Sequence, residues 1–133
     1  MARLALIPLL FLFACNGADA PKATSYEKNG PLKHIVLLEL KENCSDQDIE
    51  RVVQALYSLQ EIEEVIDLEV SQALDTGDDR LLSGYDIILY TELGTEADLK
   101  KYSKDEFHLS VREDLKPYLA TKPKVIDAFE YKE

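Results

Sequence analysis

The chain has no tryptophan, and its 133 residues include only two cysteines and two histidines. There is no Cys-x-x-Cys and no cluster of cysteine and histidine, so a zinc or iron–sulfur framework has no ligands. Two histidines fall short of the three or four ligands a metal ion needs, and no cofactor motif is present, so no cofactor is expected. Positive charge is also scarce. Fifteen Lys and Arg face 26 Asp and Glu, a net charge of −11. So acidic a surface repels phosphate backbones and anionic headgroups, which argues against nucleic acid as a partner. A long apolar run is missing too: residues 4 to 14 form a run of about eleven, too short to span a bilayer.

That run has the length of a secretory signal core, and Arg3 gives it a basic start. It ends at Leu12-Phe13-Ala14-Cys15, which resembles a bacterial lipobox. A lipobox implies cleavage before Cys15, lipid on its thiol, and a place in the bacterial cell envelope on the membrane's periplasmic or surface face. The alternative is an ordinary signal cut near Ala18-Asp19-Ala20, with Cys15 incidental; Pro21 makes that a poor cleavage site. The expected layout is a signal peptide over 1–14, a lipidated Cys15 with a flexible tether over 15–31, and one folded domain over 32–133. Residues 16 to 31 suit a tether, being Gly, Pro, Ala, Ser and charge.

Hydrophobic residues make up 46% of the chain, enough for a core. Ile, Val and Leu over Lys33 to Lys41 predict a strand. Ser45 predicts a helix cap with Asp48 in the capping-box position, and Ile49, Val52, Val53, Leu56 and Leu59 follow at helical spacing. Alternation predicts a second strand with Ile66, Leu68 and Val70 on one face. A polar loop reaches Gly84, and Tyr85 to Leu93 reads as a third strand. Thr95 caps a short helix with Leu99 and Tyr102 inward. A further helix, Glu106 to about Leu119, carries Phe107, Val111, Leu115 and Tyr118 on one face, and a fourth strand follows Pro123. The order β-α-β-β-α-β is the ferredoxin-like arrangement, an α+β fold with its helices on one side of an antiparallel sheet.

The other side of that sheet should then be polar. Instead Ile35 and Leu37 oppose His34, Val36 and Leu38; Ile88 and Tyr90 oppose Ile87 and Leu89; and Ile126 opposes Val125. A bare face of that kind predicts association of two copies, sheet against sheet.

The segments "LKHIVLLELK", "SDQDIERVVQAL", "SGYDIILYTEL", "LKKYSKDEFHLSVREDLKPYL" and "VIDAFEY", in this order and spacing, resemble the stress-responsive A/B barrel (Dabb) family. The resemblance runs from Leu32 to the C-terminus and implies a dimeric α+β barrel. One branch of the family, in plants, cyclises polyketides with a tyrosine and a histidine six apart, as Tyr102 and His108 are here. In that correspondence His34 matches the branch's first-strand histidine, and Asp127 matches a last-strand acid. Where the family commonly has His-Pro-Ala-His, this chain has Asp105-Glu106-Phe107-His108. Phe107 there is expected to alter the pocket wall.

Two function classes follow. The first is a membrane-tethered homodimer that binds a small apolar ligand or a partner, without catalysis. In it His108, Tyr102 and His34 are packing residues. The second is a cyclase or lyase acting on a small carbonyl compound, with His108 as general base and Tyr102 and His34 orienting the substrate. An open cavity at these three residues favours the second; a space filled by Phe107 and Tyr85 favours the first.

Overall fold

A computed structural model of the chain describes residues 30–132. The expected signal peptide, Cys15 and nearly all of the tether lie outside the described residues. The folded part runs β1 (Leu32–Leu38), α1 (Asp46–Ser58), β2 (Val65–Gln72), β3 (Ile87–Leu93), α2 (Glu96–Lys104), α3 (Glu106–Leu115) and β4 (Lys124–Phe129). Every strand pairing is antiparallel, and the sheet order is β2-β3-β1-β4. This is the ferredoxin-like α+β fold that the order of elements predicts.

The local reasons match the sequence. Ser45 accepts from the Asp48 amide at 3.2 Å, and the Asp48 carboxylate accepts from the Ser45 amide at 3.0 Å. That reciprocal cap satisfies two amides a helix start otherwise leaves open. Thr95 does half of the same for α2, accepting from the Asp98 amide at 3.2 Å. Val52, Leu56 and Leu59 bring the apolar stripe of α1 onto Leu38, Leu89 and Leu93 of the sheet, and Val111 and Leu115 of α3 close the cluster.

The register sorts the two faces. His34 stands opposite Thr91 and Asp127, so it shares the helix-covered side with Leu32, Val36 and Leu38. Ile35 stands between Tyr90 and Ile126, and Leu37 between Ile88 and Lys124, on the bare side. An apolar band thus crosses the three strands β3, β1 and β4. Its margin is charged, with Asp67 and Glu69 on β2, Glu92 on β3, and Lys33 and Lys124 beyond.

Four expectations need correction. Ile66 does not share a face with Leu68 and Val70: the pairing slips between Val65 and Asp67, and this bulge leaves Ile66 61% exposed. The first strand stops at Leu38, because the Leu40 amide goes to the Asp86 carboxylate at 2.7 Å rather than to a neighbouring strand. The last helix ends at Leu115 and tightens into a 3₁₀ turn over Lys116–Tyr118, where Pro117 has no amide to continue the ladder. Phe107 is 41% exposed and does not share the buried stripe of Val111 and Leu115. It sits in the first turn after Asp105, where the helix has just changed direction.

Leu56 is 2% exposed at the centre of the core, so Leu56→Ala should cost about 3 kcal/mol in urea unfolding. Ile66→Ala at the bulge should cost under about 0.5 kcal/mol. Equal losses would place the core elsewhere.

Candidate functional site

Tyr102 and His108 are six residues apart. On one unbroken helix they would point about 120° apart and sit about 9 Å along the axis. Asp105 prevents this. It ends α2 with an extended backbone, φ −58° and ψ 132°, and its carboxylate accepts from the His108 amide at 3.0 Å to start α3. The chain turns at that one residue, and the Tyr102 and His108 rings come to 4.3 Å between centroids, tilted by 31°. His34 reaches the same place from β1, edge-on to Tyr102 at 5.9 Å and 70°. Its Nδ1 lies 2.6 Å from the Asp127 carboxylate on the neighbouring strand β4. All three expected site residues therefore meet, and Asp127 backs His34 rather than His108.

They meet at a cavity of about 580 Å³. Its walls are mostly aliphatic, including Val36, Leu38, Leu89, Val111 and Leu115. That is the size and lining of a small-molecule pocket. Neither Phe107 nor Tyr85 lines it; Tyr85 borders a separate groove beside Cys44 and Asp86. The cavity exists because β4 is an edge strand beyond the reach of α3. Val125 points to the helix side opposite Val36 and is still 52% exposed.

The polar atoms here are unusually bare. Tyr102 and Thr91 are both 0% exposed. The Tyr102 hydroxyl, the Thr91 hydroxyl and the His108 Nδ1 are buried without a hydrogen-bond partner among the described residues. Each such group costs about 1–3 kcal/mol unless something fills its valence. Burial pushes the Tyr102 phenol up to about 12, and the nearby Thr91 hydroxyl tempers the rise without completing a hydrogen bond. The phenol is thus a proton donor across the physiological range. Burial, then the Arg112 guanidinium one helical turn on, hold the His108 imidazole below its ordinary 6.5. A Ser103 backbone group pulls the other way but does not satisfy Nδ1. His108 is therefore neutral at pH 7, the state a base or a hydrogen-bond acceptor needs.

Residue-by-residue reading of the sequence passed over Thr91 and Arg112. A signal for Thr91 was present: it is the one polar residue on the inward alternation Ile87, Leu89, Thr91, Leu93. Arg112 was legible as the position four after His108 on the same helix. Cys44 plays no part, since its thiol donates to the Tyr118 carbonyl at 3.5 Å, away from the cavity. Among the described residues no group of three or more His, Cys, Asp or Glu stands ready to hold a metal ion.

The low affinity of folded His108 for a proton fixes a sign. The unfolded chain binds that proton near 6.5 and the folded chain only at lower pH, so the fold loses stability as pH falls below 6.5. In His108→Gln this contribution is absent. Unfolding free energies from about pH 8 to about pH 5 should fall more steeply for the unaltered protein than for the variant. Parallel curves would mean that His108 protonates freely in the fold.

Solved structures share this architecture. A dimeric protein of unknown function with a ferredoxin-like fold from Bacteroides fragilis aligns with a TM-score of 0.60 and 19% identity, over 80% of this chain and 100% of its own. The Arabidopsis thaliana protein At3g17210 aligns at 0.69 and 21%, over 77% and 98%. The hydroxynitrile lyase of Passiflora edulis aligns at 0.69 and 16%, over 79% and 97%. At such identities the likeness is one of fold. No curated protein matches the chain. The sequence itself matches the model of the Stress responsive A/B Barrel Domain over residues 32–130, and the chain belongs to that family, Dabb.

Proposed function

We propose that this protein is a homodimeric A/B barrel, tethered to a cell-envelope membrane through lipid on Cys15, whose cavity binds a small and largely apolar molecule with hydrogen-bonding capacity. The observation that carries the ligand is the pair of unpaired buried polar atoms, the Tyr102 hydroxyl and the His108 Nδ1, on residues that line an aliphatic cavity. A donor phenol and an acceptor imidazole side by side suit a carbonyl or hydroxyl group. The dimer is supported by the apolar band of half-buried Ile35, Ile88 and Tyr90 with exposed Ile126 on the side away from the helices, and by structural relatives described as dimeric. The tether and lipid rest on the sequence before residue 32 alone.

A second reading is favoured by the open cavity at His108, Tyr102 and His34, which neither Phe107 nor Tyr85 fills, and by one further distance. The Asp127 carboxylate at 2.6 Å from His34 Nδ1 holds that imidazole with its proton on Nδ1 and Nε2 free to accept. With a neutral His108 and a donor Tyr102 in place, the set suits removal of a proton alpha to a carbonyl, the enolate oxygen being held by the phenol. That is cyclase or lyase-type chemistry with His108 as base. One structural relative is a hydroxynitrile lyase, so the fold carries lyase chemistry in another protein.

One neutral ketone tests both readings. Binding of 2-nonanone should raise the melting temperature of the full chain. Tyr102→Phe removes an unpaired hydroxyl, so it should leave the empty protein as stable or about 1 kcal/mol more stable while abolishing the ketone's effect. A Tyr102→Phe variant that loses stability and still responds would turn the phenol into a packing residue. In deuterated water, faster exchange at the ketone's alpha carbon with the protein than with His108→Ala supports catalysis; equal rates leave binding alone.

Association has its own check. Ile126 is 48% exposed on the bare face. Sedimentation should give a dimer for the unaltered chain at micromolar concentration and a monomer for Ile126→Lys. A monomer in both cases overturns the sheet-to-sheet pairing.

A further inference from the structure

The cavity rim breaks the charge pattern of the rest of the chain. Acids outnumber bases by 26 to 15 over the sequence. Yet the side chains lining the cavity include Arg112, Lys116 and Lys122 and no carboxylate at all. Lys116 is already engaged, with Glu113 at 2.6 and 2.7 Å. Arg112 and Lys122 have no ion pair among the described residues. One lies on α3, a turn beyond His108, and the other precedes β4, so the cavity receives a cation from each of the two elements that border it. Both are exposed, whereas Tyr102 at the closed end is 0% exposed. Asp127 is occupied by His34 and does not line the cavity.

Resting on the reading of the cavity as a ligand site, we propose that its ligand is a singly charged amphiphile: an apolar body against the aliphatic walls, and a carboxylate at the rim between Arg112 and Lys122. Guanidinium pairs with carboxylate through two parallel hydrogen bonds, and low-dielectric walls concentrate the field of the two cations at the opening. The surrounding excess of negative charge penalises a dianion such as a phosphate monoester about twice as much as a monoanion, which selects the carboxylate. The deep phenol and imidazole then meet a second polar group of the molecule or a water beneath its tail.

The test uses three molecules of one chain length, octanoate, 1-octanol and octylamine, titrated calorimetrically into the full chain at neutral pH. Octanoate should bind about tenfold more tightly than the alcohol, and the amine most weakly. Arg112→Gln with Lys122→Gln should erase that preference, so that the variant binds octanoate no more tightly than octanol. Arg51→Gln removes an exposed cation on α1, paired with Asp48 and outside the cavity, and should change neither. Octanol binding as well as octanoate overturns the anionic head while leaving the cavity a ligand site. An equal loss of octanoate binding in Arg51→Gln overturns it too, since the preference would then belong to overall charge. No binding by any of the three removes the ligand site itself.

Discussion

A four-stranded sheet that must hide both of its faces, with helices on only one side, sets the terms for this molecule. The helices cover that side unevenly. Over β3 and the C-terminal half of β1 the cover is complete, with Leu38, Ile87, Leu89 and Leu93 all at 3% exposure or less. Over β4 it fails, and Val125 stays half in solvent although it points to the helix side. The gap between α3 and β4 is the cavity. On the opposite side Ile35 is half-buried and Ile126 is 48% exposed, whereas Leu37 is only 7% exposed. The same edge strand therefore borders two unfilled surfaces, one concave and mixed, one flat and apolar. Concave sites of this lining suit small molecules, and flat apolar ones suit a second copy.

Asp105 is the pivot within that frame. A residue that ends one helix and caps the next converts a spacing of six into direct ring contact. The family's usual histidine at this position is replaced by a carboxylate, and the replacement keeps a structural role, because Asp is among the strongest N-cap residues. Phe107, which fills the alanine position, turns outward and leaves the cavity open.

The fold was readable because its signals are local and agree with one another. The capping box at Ser45 and Asp48, the helical stripe through Val52 and Leu56, and the alternation in β3 all point to the same arrangement. The bulge at Ile66 was hidden, since an extra residue in one strand is visible only against its partner. The site was readable in part. Tyr102, His34 and His108 could be named from the order of segments, but their convergence depends on the turn at Asp105. The partnership of His34 with Asp127 was out of reach, because it crosses 93 residues and is fixed by which strands lie side by side. Thr91 and Arg112 gain meaning only from what surrounds them.

Two imidazoles in one cavity would duplicate each other if their surroundings were alike. They are not. His34 carries a carboxylate on Nδ1, which fixes the tautomer and orients the ring. His108 is buried and has a guanidinium nearby, and together these favour the uncharged ring over the pull of the Ser103 backbone. Two rings of one chemical type in such different surroundings offer different hydrogen-bonding capacities to one cavity. Tyr102 between them cannot ionise under ordinary conditions, with its phenol near 12, and so keeps a proton to offer. The site thus holds an oriented ring, a neutral ring and a fixed donor within two ring contacts of each other. A purely structural core gains nothing from leaving three such atoms unpaired, since a phenylalanine, a valine and a leucine would fill the same space at lower cost.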